Sequence, residues 1–229
     1  MEIIRLEQVT KAYRKDFIAL NEINLVIEKG EFVSIVGPSG AGKSTLLKLI
    51  YAEEAPTNGT VYFEGVPLDS ISRRNLPFYR RKIGTVFQDS KLLPNKTVFE
   101  NVAYALEMSG APNEQIKEDV PQILAIVGLE SKTDTFPSEL SGGEQQKVAM
   151  ARALVHKPKV ILADEPTGNL DPTASLEILK LLLGINKLGA TIILASHDKE
   201  IVDRARKRVI VLDGGRIVRD EANGKYKTV

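Results

Sequence analysis

The stretch GPSGAGKST, residues 37–45, constrains the fold of this chain more than any other feature. It fits the pattern G-x-x-x-x-G-K-[ST] and follows an apolar run, residues 32–36, that is typical of a buried strand. A run with helical spacing, from Lys43 to Ala52, comes directly after it. Glycines let the backbone turn its N–H groups onto phosphate oxygens, and a helix N-terminus adds partial positive charge. We therefore predict a phosphate-binding loop. An ordinary glycine-rich turn, the alternative, does not explain the lysine-serine pair.

The pair Lys43-Ser44 gives this loop its predicted chemistry. Lys43 can reach the β- and γ-phosphates of a nucleotide. The Ser44 hydroxyl can coordinate Mg²⁺, an ion that keeps several waters and takes few protein ligands. The other nucleotide contacts that we predict in the loop are Gly37, Ser39, Gly40, Ala41, Gly42 and Thr45.

Two acidic residues end a second apolar run, VILADE at residues 160–165. Side chains alternate along a strand, so Asp164 and Glu165 cannot have the same role. We predict that Asp164 holds Mg²⁺ through water and that Glu165 polarises the water attacking the γ-phosphate. His197 follows another apolar run, TIILAS, and we predict that it hydrogen-bonds the γ-phosphate at the same sheet edge. The alternatives are solvated acids at a strand end and a structural histidine.

Apolar runs alternate with helical patterns along much of the chain, which predicts a parallel sheet. Short, partly alternating strands are predicted at residues 3–9, 23–27 and 60–63, separated by turn residues that include Asn58-Gly59. Helical spacing dominates from about 98 to 153, with breaks at residues 110–112 and 135–137. After it come the strand KVILADE, a helix from about 173 to 188 and the hairpin RVIVLDGGRIVRDE.

Composition excludes several classes of protein. The 31 Lys and Arg residues nearly balance the 30 Asp and Glu residues, so the net charge does not indicate binding to nucleic acid or anionic lipid. The absence of cysteine rules out disulfides and cysteine-ligated zinc, and it suits a reducing compartment. No apolar run reaches the length of a membrane span, and the start lacks the pattern of a signal peptide. We expect a soluble, cytosolic chain that contacts a membrane only through a partner.

A second glycine-containing helix start, LSGGEQQ at residues 140–146, is unexpected in a chain that binds one nucleotide. Ser141 and Glu144 fit a capping box. The capping box does not explain Gly142-Gly143, because glycines cost helix stability and are useful where the backbone approaches something closely. Since the helical insertion separates this segment from the phosphate loop, we predict that it serves a nucleotide held by a second chain.

These segments, in this order, make the chain resemble the ATP-binding subunits of ABC transporters over essentially its whole length. GPSGAGKST matches their Walker A motif, VILADEP the Walker B motif and LSGGEQQ the signature, with Lys147 where many relatives have arginine. The remaining matches are Gln88 for the Q-loop, Asn169-Leu170-Asp171 for the D-loop, Ser196-His197-Asp198 for the switch and Tyr13 for the aromatic residue that stacks on adenine.

The resemblance implies an α/β P-loop NTPase core with an antiparallel β subdomain and an inserted helical subdomain. It implies one ABC ATP-binding domain over residues 1–229, in which residues 1–88 and 155–229 form the β subdomain and core. Residues 89–154 would form the helical subdomain with the signature. The implied cofactors are ATP and Mg²⁺, and the implied activity is ATP hydrolysis.

The family also implies a homodimer that closes over two ATP, the signature of each subunit facing the other's Walker A. The implied catalytic residues are Lys43, Gln88, Glu165 and His197, and the implied Mg²⁺ ligands are Ser44, Gln88 and Asp164. Tyr13 and Gln88 would contact the chain's own nucleotide. Ser141 and Gly143 would contact the γ-phosphate of the partner's nucleotide, and Gly142 and Asp171 are further implied nucleotide-binding residues.

Three segments narrow the resemblance to the FtsE family of cell-division ATPases in Gram-positive bacteria: RRKIGTVFQDSKLLPNKTVFENVAYALEM, LIYAEEAPTNGTV and GRIVRDEANGKY. That family implies pairing with the membrane protein FtsX on the cytoplasmic face of the plasma membrane. Its ATP cycle activates peptidoglycan hydrolases during septation. Leu92, Leu93 and Pro94 would either line a groove for a short helix of FtsX or pack beneath the helical lobe.

Alternative functions remain open at this point. In the same branch are the ATPases of lipoprotein-release, macrolide-efflux and amino-acid transporters. A soluble ABC ATPase acting on nucleic acid or ribosomes is a different class. We expect no nucleic acid, because the basic runs are short and interleaved and no tandem cassette, long coiled coil or cysteine zinc site is present. A scaffold without hydrolysis is disfavoured by the intact Lys43, Glu165 and His197.

Overall fold

The computed structural model describes residues 1–14 and 17–226. The strands, in chain order, are β1 (Glu2–Arg14), β2 (Phe17–Glu28), β3 (Phe32–Val36), β4 (Asn58–Phe63), β5 (Val66–Pro67), β6 (Ile83–Phe87), β7 (Val160–Asp164), β8 (Thr191–Ala195), β9 (Arg208–Asp213) and β10 (Arg216–Glu221). The α-helices are α1 (Lys43–Ile50), α2 (Leu76–Arg80), α3 (Val98–Glu107), α4 (Asn113–Ile126), α5 (Gly142–Leu154), α6 (Pro172–Lys187) and α7 (Lys199–Ala205).

Strands β1, β2, β4 and β5 form an antiparallel sheet in the order β2-β1-β4-β5. β1 and β2 are longer than the sequence predicts. Register shifts between them interrupt the alternation of buried and exposed residues, so the sequence pattern does not reveal their full length. Gln8, with φ 51°, lies at one such interruption. Asn58-Gly59 is not a turn between strands, as the sequence suggested, but the start of β4. A Cβ on Gly59 would lie 2.3 Å from the Gln8 carbonyl oxygen, so this glycine is needed for close backbone approach.

The second sheet has six strands in the order β10-β9-β3-β8-β7-β6. Its five strands from β9 to β6 are parallel, which confirms the predicted α/β class. All five residues of β3 and all five of β8 are buried, as expected for strands covered on both faces. β10 joins β9 in the predicted hairpin, through Gly214 and Gly215 with φ 51° and 74°.

Three helices, α3, α4 and α5, lie in the chain between the adjacent strands β6 and β7. They share a buried apolar cluster that includes Val102, Leu124 and Val148. The proposed helical subdomain, residues 89–154, contains all three. The helical pattern is interrupted between these helices near Gly110 and Phe136, where the sequence predicts it.

Both faces of the six-stranded sheet are covered. Ile193 packs into the apolar cluster that contains α1 and the antiparallel sheet, whereas Ile192 and Leu194 pack into the cluster that contains α5 and α6. Because β3, β7 and β8 are parallel, their carboxyl ends lie at the same edge of the sheet. The loops at this edge carry the candidate site residues. In the described part of the chain, no helix has the length and apolar character needed to cross a membrane.

Candidate nucleotide-binding site

A cavity of about 500 Å³ lies at the carboxyl edge of the parallel sheet. It brings together residues from the phosphate loop, from the ends of three strands and from the start of β2. The lining residues are Phe17, Ala19, Ser39, Gly40, Ala41, Gly42, Lys43, Ser44, Thr45, Gln88, Glu165 and His197. Most of the site residues predicted for the chain's own nucleotide thus converge on one space.

Two glycines of the phosphate loop are required by close packing. A Cβ on Gly37 would lie 2.1 Å from the Leu212 carbonyl oxygen, and a Cβ on Gly42 would lie 2.5 Å from the Ala19 carbonyl oxygen. Gly42 also has φ 104°, a conformation that other residues rarely adopt. The loop backbone is therefore held against β2 and β9, with α1 beginning at Lys43.

Lys43 is buried, with 8% of its surface exposed. Its ammonium group donates to the carbonyl oxygens of Gly37 at 2.9 Å and Pro38 at 3.2 Å. It also lies 4.0 Å from the Oε1 atom of Glu165. The positive charge is thus fixed inside the curve of the phosphate loop, where the sequence predicts it.

Glu165 links the ends of two strands. Its Oε1 atom lies 2.9 Å from the Nδ1 atom of His197, and its Oε2 atom accepts from the His197 amide at 3.2 Å. Glu165 has φ 50°, and its own amide donates to the Ala195 carbonyl oxygen at 2.9 Å. This turn directs the carboxylate towards Lys43 and the cavity.

Asp164 has a different environment from its neighbour. It is partly buried, and its carboxylate lies beside the Ser44 hydroxyl. Burial raises the pKa of Asp164, the Ser44 hydroxyl opposes this, and the negative charge of Glu165 adds to it. The Oδ1 atom is buried and has no hydrogen-bond partner. Such an oxygen beside a serine hydroxyl fits a divalent cation such as Mg²⁺.

Gln88 follows β6 directly and faces the loop after β7. Its Nε2 atom donates to the Oδ1 atom of Asn169 at 3.0 Å, and the side-chain Nδ2 atom of Asn169 lies 3.4 Å from the Oδ1 atom of Asp89. A Cβ on Gly168 would lie 2.9 Å from Gln88, so the two loops are in close contact. The predicted Q-loop and D-loop therefore meet at the wall of the cavity.

Tyr13 does not line the cavity itself, although the sequence predicted that it contacts the nucleotide. Its ring stacks on that of Phe17, with centroids 5.9 Å apart and planes inclined by 23°. Phe17 lines the cavity and is 53% exposed. Sequence reasoning missed Phe17, because its position depends on the pairing of β1 with β2, in which Arg14 lies opposite Phe17.

The comparisons with known proteins decide the family. The model of the ABC transporter family matches residues 20–168. The cell division ATP-binding protein FtsE of Bacillus subtilis (strain 168) is 53% identical, and the alignment covers 98% of each chain. The FtsE of Mycobacterium tuberculosis is 51% identical, again over 98% of each chain. The chain belongs to the ABC transporter family. It is an FtsE-like ATP-binding subunit that hydrolyses ATP and has a role in cell division.

Solved structures agree with the ABC fold. The structure of cbiO1 from Clostridium perfringens, part of the ABC transporter complex cbiONQ, has a TM-score of 0.90 and 36% identity, covering 97% of this chain and 88% of that one. A dimeric structure of the ATP-binding cassette MJ0796 bound to ADP and Pi has a TM-score of 0.86 and 37% identity. That alignment covers 98% of this chain and 100% of the other.

The ABC signature lies outside the cavity of its own chain. Ser141 caps α5, and the reciprocal bonds of the capping box are present: the Glu144 amide donates to Ser141 Oγ at 3.3 Å, and the Ser141 amide donates to Glu144 Oε2 at 2.8 Å. A Cβ on Gly142 would lie 3.3 Å from a Leu170 methyl group. A Cβ on Gly143 would lie 3.0 Å from that of Ala174, so part of the need for small residues arises within the chain.

Asp171 likewise has a structural role that the sequence did not predict. Its Oδ1 atom accepts from the amides of Thr173 at 2.9 Å and Ala174 at 3.0 Å, and so caps α6. It does not line the cavity. None of Ser141, Gly142, Gly143 and Asp171 is therefore among the residues that line the cavity of the phosphate loop.

Helix α5 holds the Q-loop segment by two side chains that sequence reasoning missed. Gln146 donates to the Phe87 carbonyl oxygen at 2.8 Å. Arg152 donates to the carbonyl oxygens of Ser90 at 2.8 Å and Lys91 at 2.9 Å. These partners lie about sixty positions earlier in the chain, and no local pattern in the sequence reveals such pairs.

Residues 92–94 differ in their surroundings, and Pro94 is exposed. Leu92 packs against the apolar cluster of the helical region. Leu93 is partly buried, and its amide and carbonyl groups are both bonded to Asn101. An open groove of about 390 Å³ lies between α2, β6, α3 and α5, and its lining includes Ser90 and Lys91 but none of residues 92–94. For Leu92, this packing supports the alternative in which the segment lies beneath the helical lobe.

Proposed function

We propose that Glu165 is the residue that polarises the attacking water in this ABC ATPase, with the ATP phosphates bound by residues 37–45. The support is geometric. Glu165 is held by His197 on one side and faces Lys43 on the other, at the mouth of the cavity. The Lys43 ammonium neutralises charge on the β- and γ-phosphates, and His197 orients the carboxylate and contacts the γ-phosphate. The adenine base lies against the wall formed by Tyr13 and Phe17.

The residues of the site fit Mg²⁺, with Ser44 and Asp164 as the groups that hold it and Gln88 at the edge of the cavity. The support is the buried, unpartnered Oδ1 atom of Asp164 beside the Ser44 hydroxyl. When bound, the ion would neutralise the negative charge that develops on the transferred phosphoryl group. Asp164 would thus hold the cation, while Glu165, which contacts His197 and lies near Lys43, would orient the water.

We further propose that two copies of the chain close over two ATP molecules. Ser141 and Gly142 are exposed and lie outside their own cavity, so they are available to a nucleotide held by a second copy. Solved structures of the cassette MJ0796, 37–39% identical to this chain, are described as dimeric. In the dimer the N-terminus of α5 faces the partner's γ-phosphate, and the contacts are two-fold symmetric.

The membrane partner that we propose is FtsX-like, and the ATP cycle drives it to activate peptidoglycan hydrolases during septation. The observation that carries this proposal is identity of 50–53% to FtsE proteins over nearly the whole chain. Methionine import ATPases named MetN are 44% identical, and this chain covers 66% of their length. The chain would lie on the cytoplasmic face of the membrane through its partner alone.

The groove of about 390 Å³ is the site that we propose for a short cytoplasmic helix of the partner. Met108, at the end of α3, is 68% exposed at this groove. Of the described residues that line it, none is acidic. The basic lining residues are Arg80, Arg81, Lys91 and Arg152. An amphipathic helix with acidic residues is therefore the partner segment that fits.

Substitution Met108→Glu tests this docking. We expect the variant to fold and to bind ATP, because Met108 is exposed, but to lose co-purification with a co-expressed FtsX-like subunit, since apolar contact is replaced by charge. Leu188→Glu is a matched control, because Leu188 is 80% exposed at the end of α6, away from the groove. Retention of the membrane subunit by a folded Met108→Glu variant would show that the groove is not the docking site.

A further inference from the structure

Glu54 forms a charged cluster next to the aromatic wall of the nucleotide site. Its Oε1 atom accepts a hydrogen bond from the Tyr13 hydroxyl at 2.9 Å. Its Oε2 atom lies 3.0 Å from the Lys11 ammonium, and its Oε1 atom lies 3.6 Å from that of Lys48. The Glu54 side chain is 21% exposed and that of Lys11 is 15% exposed, so solvent screens this pair only in part.

The charge state of Glu54 suits a fixed acceptor. Burial raises the pKa of Glu54, but the Lys11 ammonium beside the carboxylate and the hydrogen bond from Tyr13 outweigh burial and hold that pKa below its usual value. The carboxylate is therefore ionised at neutral pH. A hydrogen bond to an ionised acceptor is stronger than one between neutral groups, so the Tyr13 hydroxyl is held firmly.

The cluster connects the aromatic wall to the helix of the phosphate loop. Lys11 and Tyr13 belong to β1, whereas Lys48 belongs to α1, which begins at the end of that loop. The Tyr13 hydroxyl also lies 3.5 Å from the Thr45 hydroxyl, one residue beyond Ser44. A tyrosine ring can rotate and tilt unless its hydroxyl is anchored, and here the anchor is tied to both elements.

We propose that Glu54 is a positioning residue for ATP: it fixes the Tyr13 ring, and the Phe17 ring stacked on it, at the distance from the phosphate loop that the base and the triphosphate of one ATP require. The proposal rests on the proposed role of Tyr13 and Phe17 as the adenine wall. Glu54 does not touch ATP. It acts through Tyr13, and so it affects binding of the base and not of the phosphates.

The test compares four variants: Tyr13→Phe, Glu54→Ala, the double variant and Tyr13→Ala. Tyr13→Phe keeps the ring and removes only the hydroxyl. We expect Tyr13→Phe and Glu54→Ala each to raise KM for ATP about 3- to 10-fold, the range expected for one lost hydrogen bond, with the change falling on KM rather than kcat. Because Glu54→Ala already breaks the bond that Tyr13→Phe removes, the double variant should be no worse than Glu54→Ala alone.

Two controls separate positioning from general damage. Inhibition by inorganic tripolyphosphate, which has no base, should be the same in all the variants and the parent protein. Glu53→Ala, at the neighbouring exposed glutamate, should leave KM for ATP unchanged. Equal losses of ATP and tripolyphosphate binding would indicate a structural defect and overturn the proposal.

The outcomes distinguish the positioning role from the adenine wall itself. If Tyr13→Ala raises KM for ATP but Tyr13→Phe does not, the wall stands and the role of Glu54 is wrong, whatever Glu54→Ala does. If Tyr13→Ala has no effect, the wall is wrong and the positioning role fails with it. Additive effects of Tyr13→Phe and Glu54→Ala would also contradict a shared bond.

Discussion

At Glu165, a single backbone angle separates two neighbouring carboxylates. With φ 50°, Glu165 has a left-handed conformation directly after β7. The Ala195 carbonyl oxygen stabilises this conformation by accepting a hydrogen bond from the Glu165 amide. Such a conformation costs of order 1–3 kcal/mol for a residue other than glycine. In return, Glu165 faces Lys43 and His197, while Asp164 faces Ser44. Adjacent positions in the sequence thus have separate environments.

Glu165→Gln tests the division of roles between these carboxylates. The amide keeps the shape of the side chain but cannot accept a proton, so we expect ATP binding to persist and hydrolysis to fall by a factor of about 10²–10⁴. Lys43→Ala should instead weaken ATP binding itself. Nucleotide affinity and steady-state phosphate release, measured on both variants, check this. Hydrolysis by Glu165→Gln at the parent rate would assign the water-polarising role elsewhere.

Residues of the site differ in how well the sequence predicts them. Gln88, Glu165 and His197 each follow a strand of the parallel sheet, and Lys43 begins the helix after the phosphate loop. All four belong to recognisable motifs, so their meeting follows from the order of parallel strands. Phe17 and Glu54 carry no local signal. They reach Tyr13 only through strand pairing and through the loop after α1, and such contacts depend on the whole fold.

At the scale of elements, α5 has two functions that its sequence pattern does not separate. Its first turn is the ABC signature, and its capping box stabilises the helix in the single chain. Further along, Gln146 and Arg152 hold the backbone of the Q-loop segment. The backbone of the Q-loop segment is therefore bonded directly to the helix that begins with the signature.

The capping box of α5 predicts a pH-dependent stability. Hydrogen bonds from the Ser141 amide and hydroxyl lower the pKa of Glu144 below its usual 4.5. A lowered pKa means that the ionised form stabilises the folded state, so this contribution is present above pH 4.5 and is lost as the pH falls through the folded pKa. We expect Glu144→Ala to lower the free energy of unfolding at pH 7 by about 1 kcal/mol.

Denaturant unfolding at several pH values checks this expectation. The difference between Glu144→Ala and the parent protein should shrink as the pH is lowered from 7 to below 4.5. Glu118→Ala, at an exposed position within α4, is the control and should show no such trend. A cost of Glu144→Ala that stayed constant across this range would argue against a stabilising carboxylate.

At the scale of the whole molecule, the phosphate loop and the signature do not share one cavity. The phosphate loop lines the cavity, whereas the exposed signature residues Ser141 and Gly142 do not line it, and Gly142 lies beside the D-loop residue Leu170. The sequence predicts this separation, because the signature lies in a helical insertion between two strands of the core. The sequence alone does not predict that Gly142 and Gly143 also serve packing against Leu170 and Ala174.

Disulfide trapping tests whether two chains complete the site. The chain has no cysteine, so introduced pairs can be read without background. Ser39, in the phosphate loop, and Ser141, in the signature, are both exposed, and in the proposed dimer they face each other across one ATP. In a Glu165→Gln background, which retains ATP, we expect Ser39→Cys with Ser141→Cys to give linked dimers only when ATP is present. Ser39→Cys with Leu188→Cys is the control, because Leu188 ends α6 near the opposite edge of the sheet, and it should not link. Linking that needed neither ATP nor the Glu165→Gln change would mean that contact between the chains does not depend on the nucleotide, and closure over ATP would have to be abandoned.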